Sequence, residues 1–318
     1  LFYGIYAPYW YSFEKQRVSP VLMQVLRQQG YQMALHTSQS FTYPELHHTL
    51  FVDVPPENMH AIQQGDAWRR DIQNIDDLTR HIDQRDPQRP FFGFMFFEST
   101  HAPYSFPEDS ALRPDYLRDM NYIDLDLRNN IGGIHNRYVN AAHHIDAQVG
   151  RLLEHLERTG MLDKTAVLFT GDHGEEFMEK GRWGHGHGST FPEEQIRVPL
   201  VLWRPGVEPA VVSHRTSHLQ VAPTLLHWLG VQQAPQTYSS ALPLEQEMPY
   251  FVFGEYDHMG VDDGEHKIVF PYTGRDHFRY SVYDENDHPV TRTQRDEVVA
   301  AAQPLLTAVS HESRRFVR

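Results

Sequence analysis

The chain contains no cysteine. Within these residues that excludes disulfides, thiolate metal sites and a cysteine nucleophile, including one made by modifying cysteine. It also fits an oxidising compartment such as the periplasm. No run of about 18 apolar residues occurs, so no segment reads as a membrane-spanning helix. Basic side chains are scarce, 28 against 42 acidic ones, for a formal net charge of −14. Nucleic acid is therefore not expected as a partner, because its phosphates call for a basic stripe. A local basic patch can still hold an anionic substrate. The opening Leu1-Phe2-Tyr3-Gly4-Ile5-Tyr6 has no initiator methionine and no charged segment leading an apolar one. It lacks the form of a signal peptide and reads as the interior of a longer protein.

What is present describes a globular α/β protein. The 318 residues are 40% hydrophobic and 22% charged, enough for one large domain with a buried core or two small ones. Ser19-Pro20 predicts an N-cap and first helical residue, followed by the apolar stripe Val21, Leu22, Val25 and Leu26, with Gly30 closing the helix. Residues 31–37 follow as a strand. Trp68, Ile72, Ile75, Leu78 and Ile82 recur at helical spacing. Residues 91–97 are apolar throughout and read as a strand buried on both faces. A third helix is expected over 135–158. Compact buried strands are expected at 165–170 and 199–203. A further helix covers 219–229, with Pro223 bending it or marking its true start. Helices alternating with buried strands imply a mostly parallel central sheet with helices on both faces. From about Tyr250 the pattern changes to short strands, at 250–254, 267–270 and 278–283. A last helix covers 295–309, with Pro304 as its weak point. Residues 1–231 are expected to form the α/β core, and 232–318 the strands and helix that complete the same domain. The polar stretch 232–247 reads as a linker.

Ligands of parallel sheets gather at the carboxyl ends of strands. The strand at 165–170 empties into Gly171-Asp172-His173-Gly174, an adjacent carboxylate and imidazole. Such a pair suits Zn or Mn and, less well, Mg or Ca. Further on, Trp183-Gly184-His185-Gly186-His187-Gly188-Ser189 offers two histidines that ligate metal, bind an oxyanion or belong to a plain glycine-rich loop. The strand at 91–97 delivers Glu98-Ser99-Thr100-His101, which a parallel sheet would bring towards Asp172 and His187. Glu175 and Glu176 are read as acids supporting the ligands or, preferably, as a solvated loop. His143, His144, His47 and His48 are read as structural or solvated.

In family order these motifs resemble the sulfatase branch of the alkaline-phosphatase superfamily, which includes the lipoteichoic-acid synthases and the lipid A phosphoethanolamine transferases. The resemblance rests on Phe169-Thr170-Gly171-Asp172-His173-Gly174, His187-Gly188, Gln195 and Val198-Pro199-Leu200-Val201. Thr100-His101-Ala102-Pro103-Tyr104, Ala222-Pro223-Thr224-Leu225-Leu226 and residues 280–287 add to it. Within the superfamily the chain is most similar to Gram-negative inner-membrane proteins with a periplasmic sulfatase-like domain. The resemblance implies an alkaline-phosphatase-like fold and a metal-dependent sulfuric-ester hydrolase or a phosphoryl, phosphoethanolamine-type transferase. A divalent metal would be held by Asp172 and His173, with His101 and His187 as catalytic histidines and His185 as a possible addition. The substrate would be a sulfate or phosphate ester, including a lipid headgroup, at the periplasmic face of the inner membrane. An amino-terminal membrane segment and the nucleophile would lie upstream of Leu1, so this chain alone is expected to be inactive. The alternative is a non-catalytic, sulfatase-like lipid-binding regulator of the cell envelope.

Overall fold

The computed structural model describes residues 1–121, 123, 125–184, 190–231, 244–255, 257–272 and 279–315. Two helices, α1 (Trp10–Gln16) and α2 (Val21–Gln28), lead into the central strand β1 (Gln32–Thr37). Pro20 itself is the N-cap of α2, one residue later than its sequence predicts, because its ψ of 142° is not helical. Gly30 takes φ of 76° where the chain leaves the helix, a conformation that costs glycine little. Strand β2 (Met59–Ala61) and helix α3 (Ala67–Gln84) precede β3 (Phe91–Phe96). The three strands form a parallel sheet in the order β2-β1-β3, with Gln32 opposite Phe91 and Thr37 opposite Phe96.

Period-two alternation along β1 sorts its side chains between two cores. Leu35 packs with Leu22, Met23 and Leu26 of α2 and with Ala222 and Leu226 of α6 (Val221–Trp228). Ala34 packs the opposite way, with Leu78 and Ile82 of α3 and Leu156 of α4 (Leu127–Arg158). Helices thus cover both faces, and each fully buried leucine contributes on the order of 1.5–3 kcal/mol. Strand β3 is only half-buried, with Gly93 exposed, because it pairs on one side alone among the described residues. Helix α4 begins eight residues before the expected His135, capped by Asp126. Gly132 and Gly133 interrupt its apolar stripe and hide that start from the sequence. Gly133 is needed for contact: a Cβ there would lie 3.0 Å from the Leu117 backbone nitrogen.

Strand β4 (Val167–Thr170) is followed by the short strands β5 (Glu176–Phe177) and β6 (Trp183–Gly184), the turn α5 (Glu193–Ile196) and β7 (Leu200–Trp203). β4 and β7 pair antiparallel rather than joining a parallel ladder, and both are half-exposed rather than buried. Pro223 falls in the first turn of α6, marking the start of that helix, where a missing N–H costs little. The carboxy-terminal part is an antiparallel sheet of β8 (Phe251–Gly254), β9 (His258–Asp262), β10 (His266–Pro271) and β11 (Ser281–Asp284), in the order β11-β10-β9-β8. Strand β9 has no counterpart in the sequence reading. The expected last helix is two, α7 (Arg292–Ala301) and α8 (Gln303–Ser313), with Pro304 at the start of the second. The amino-terminal Tyr6 and Tyr9 pack into this sheet's core beside Leu306 and Val309.

Candidate active site

The turn leaving β4 is set by a close backbone crossing. Gly174 N–H donates to the Gln195 carbonyl at 2.7 Å, and a Cβ at Gly174 would stand 2.2 Å from the Glu194 carbonyl oxygen. Only glycine fits there. The crossing holds Asp172 and His173 at the rim, with side chains 63% and 41% exposed and His173 Nε2 3.7 Å from Asp172 Oδ2. His173 Nδ1 donates to the Gly174 carbonyl at 2.8 Å, so the neutral ring carries its lone pair on Nε2, the Asp172 side. A carbonyl-oriented imidazole beside a carboxylate is the arrangement that metal-ligating histidines adopt. The pair fits a divalent cation by donor chemistry.

His101 is carried by the turn after β3. Buried Asp71 of α3 accepts from Glu98 N–H at 3.1 Å, from Ser99 N–H at 3.0 Å and from the Ser99 hydroxyl. Within the turn His101 Nδ1 lies 3.0 Å from the Ala102 carbonyl and 3.5 Å from Glu98 Oε1. Burial raises the Glu98 carboxyl above its ordinary range, against the pull of His101 and Gln39. The next turn places Tyr104 in a left-handed conformation, φ 59°, fully buried, with Arg137 of α4 bonded to the Pro103 and Tyr104 carbonyls.

Glu175 joins the two turns. Its Oε1 accepts from the Tyr104 hydroxyl at 2.6 Å, and that hydroxyl accepts from Trp183 Nε1 at 2.9 Å. Burial raises the Glu175 carboxyl, while Tyr104, His173 and His101 draw it back. Glu176 is buried and saturated, accepting from Lys180 N–H, Arg182 N–H and Gln195 Nε2. The preferred expectation of a solvated loop at Glu175 and Glu176 is therefore corrected. Alternation after β4 turns Glu176 into the protein, and Tyr104 reaches Glu175 from another element, which the sequence does not show.

Thr100, His101, Asp172, His173, Glu175 and His218 all line one cleft of about 2670 Å³, which continues along β7 to the carboxy-terminal sheet. His185 and His187 lie outside the described residues. Sequence reading missed His218 as a site residue. It is bonded to Thr170 Oγ1 at 3.2 Å, and burial pushes its imidazole down to about 4 despite Asp172. Its linear signal is a position just after Ser217, which caps the 3-10 turn His218–Gln220 leading into α6. Of the histidines read as structural, His144 is buried against the Trp68 carbonyl and His47 is bonded to the Phe41 carbonyl. His143 is exposed, and His48 lies 3.3 Å from an Arg17 guanidinium nitrogen.

The family model for sulfatases matches residues 1–231. The chain belongs to the sulfatase family. Over 232 residues it is 29% identical to the inner membrane protein YejM of Salmonella typhimurium, covering 72% of this chain and 33% of that protein. The chain thus spans about a third of the length of that curated relative. Among solved structures it is similar to BT4656 in complex with its substrate D-glucosamine-2-N,6-O-disulfate, with a TM-score of 0.66 and 16% identity, covering 93% of this chain and 83% of that one. It is also similar to the lipoteichoic acid synthase LtaP of Listeria monocytogenes, with a TM-score of 0.61 and 13% identity, covering 98% and 78%. The fold is that of the alkaline-phosphatase superfamily: a parallel sheet between helices with an antiparallel carboxy-terminal sheet. Another similar solved structure is the phosphonate monoester hydrolase of Silicibacter pomeroyi, with a TM-score of 0.62 and 16% identity, covering 92% of this chain and 79% of that one.

Proposed function

We propose that this chain is the larger part of a metal-dependent domain that hydrolyses or transfers a sulfate or phosphate ester. The observation that carries the reading is the Asp172–His173 pair at the end of β4, oriented through the Gly174 carbonyl and joined through the Glu175–Tyr104 hydrogen bond to the turn bearing His101. Asp172 and His173 would hold a divalent cation, with Zn or Mn favoured; when bound, it supplies positive charge at the transferring group and acidifies the attacking hydroxyl. His101 binds non-bridging ester oxygens or protonates the leaving group, with His187 as its proposed partner and His185 more peripheral. Each such contact is worth roughly 2–4 kcal/mol in the transition state, a factor of about 10² to 10³ in rate. Glu175 keeps Tyr104 and the His101 turn in place. The attacking serine, threonine or modified cysteine is proposed to lie upstream of Leu1, as the family resemblance implies, leaving this chain inactive alone.

The likeness to an inner membrane protein supports placing the intact protein at the inner membrane, with this domain at its periplasmic face and a lipid headgroup among the substrates. The test compares aryl sulfate and aryl phosphate turnover by this chain and by the protein extended upstream, at matched metal. Turnover by the extended protein that falls at least 100-fold in Asp172→Ala supports the proposal. Equal metal-dependent turnover by both proteins would place the nucleophile within these 318 residues. Inactivity of both, with binding to acidic lipid retained, would favour the regulatory alternative.

A further inference from the structure

Away from this cleft, three histidines from distant parts of the sequence meet on one face of the parallel sheet. His36 of β1 and His60 of β2 are register partners on neighbouring parallel strands, so their side chains leave the sheet on the same side. His81, in the last turn of α3, packs across both. Ring centroids are 4.8 Å apart for His36–His60, 5.1 Å for His36–His81 and 4.6 Å for His60–His81. One nitrogen from each ring lies within 4.8 Å of the others, and His36 Nε2 is 3.0 Å from His81 Nδ1.

The surroundings orient His36 as a ligand. Its Nδ1 lies 3.3 Å from Asn74 Oδ1, and Asn74 Nδ2 donates to Ser38 Oγ at 3.0 Å. With Nδ1–H on the amide oxygen, the lone pair sits on Nε2, towards His81. His36, Asn74 and Ser38 are fully buried, so this orientation is fixed by packing. His60 and His81 are only half-buried, leaving the group open on one side. The carboxyl end of α3 carries partial negative charge, and Asp77, ion-paired to Arg80, lies one turn before His81 on the same helix.

We propose that His36, His60 and His81 form a second metal site, a Zn²⁺ site of three imidazoles with an open fourth position, which ties edge strand β2 to β1 and α3. Three protein nitrogens plus water match a Zn²⁺ centre with an exchangeable position, and imidazole selects Zn²⁺ over Mg²⁺ or Ca²⁺. Zn–N bonds of about 2.0–2.1 Å in a tetrahedral site set the nitrogens about 3.4 Å apart. His36 Nε2 and His81 Nδ1, at 3.0 Å, already stand near that spacing, and the three ligand nitrogens all lie within 4.8 Å of one another. The inference is independent of the Asp172–His173 reading.

The test titrates Zn²⁺ into the full chain against a chromophoric chelator, in an Asp172→Ala/His173→Ala/His258→Ala background that removes ligands from the cleft pair and from the Glu255, Asp257 and His258 group. One Zn²⁺ per chain is expected to remain. Adding His60→Ala and His81→Ala should weaken binding by at least about 100-fold, and Co²⁺ should lose the visible absorption of a four-coordinate site. Absence of Zn²⁺ binding in the background, or unchanged binding after loss of His60 and His81, overturns the site. Urea denaturation of the metal-free variants checks the fold. If the double replacement unfolds, His60→Gln alone on the edge strand takes its place under the same criteria.

Discussion

The Tyr104 hydroxyl donates to Glu175 Oε1 at 2.6 Å, bridging the turn after β3 and the turn after β4 across 71 residues of sequence. Tyr104 is fully buried, and the same oxygen accepts from Trp183 Nε1. Removing the hydroxyl takes a donor from the half-buried Glu175 carboxylate and an acceptor from the Trp183 indole N–H. Tyr104→Phe is expected to cost about 1–3 kcal/mol, read from urea denaturation midpoints. An unchanged midpoint would show that water replaces the bond and that the bridge does not hold the two turns together.

Gly174→Ala tests the backbone crossing behind Asp172 and His173. The added methyl meets the Glu194 carbonyl at 2.2 Å, and the obstacle is main chain rather than a side chain that can turn aside. Either the Gly174–Gln195 hydrogen bond breaks or α5 is displaced. The expected cost is about 2 kcal/mol or more, with weaker metal retention in the extended protein. Near-normal stability would mean that the 190–197 segment yields readily.

Buried Lys267 bonds to the Phe191 carbonyl and the Asp287 carboxylate, tying β10 to the segments at 191 and 287. Lys267 and Asp287 side chains are 4% and 6% exposed. Lys267→Met is expected to destabilise by about 3–5 kcal/mol, because Asp287 stays buried without its cation. Lys267→Met combined with Asp287→Leu should recover much of that loss; a double variant no better than the single one would contradict the pairing argument.

Arg215 grips Asp262 with two hydrogen bonds, at 3.0 and 2.7 Å. Burial alone would raise the Asp262 carboxyl; the Arg215 bonds and the Gly264 N–H outweigh it and hold the group below its usual value. A carboxyl depressed in the folded state stabilises above its unfolded value, near pH 3.9, and that stability drains away as pH falls towards the lower folded value. Arg215 is 45% exposed, so Arg215→Met is expected to cost only about 1–2 kcal/mol at pH 7. The difference from wild type should shrink on acidification below pH 4. A pH-independent difference in denaturation curves would assign the effect to packing over Phe251 instead.

Local pattern carried much of the fold. The stripe Ile75, Leu78 and Ile82 and the apolar run 91–96 gave α3 and β3, because helical and strand periods are written in neighbouring residues. The turns that bear Asp172, His173 and His101 were legible as the ends of β4 and β3, because an apolar run giving way to glycine, proline and acids marks where a strand stops. Other features were long-range. The antiparallel pairing of β7 with β4 depends on chain direction after residue 184, which the apolar pattern of 200–203 does not encode. The start of α4 was hidden because Gly132 and Gly133 are poor helix formers, and Gly133 serves a contact with Leu117. Glu175 gained its role from Tyr104, and His36, His60 and His81 met only through strand register and helix docking. The sequence by itself determined most of the helices and strands and the turns that follow β3 and β4, since those follow from side-chain periodicity and local backbone freedom. Which distant groups share a site was decided by tertiary structure, because that proximity is created by packing.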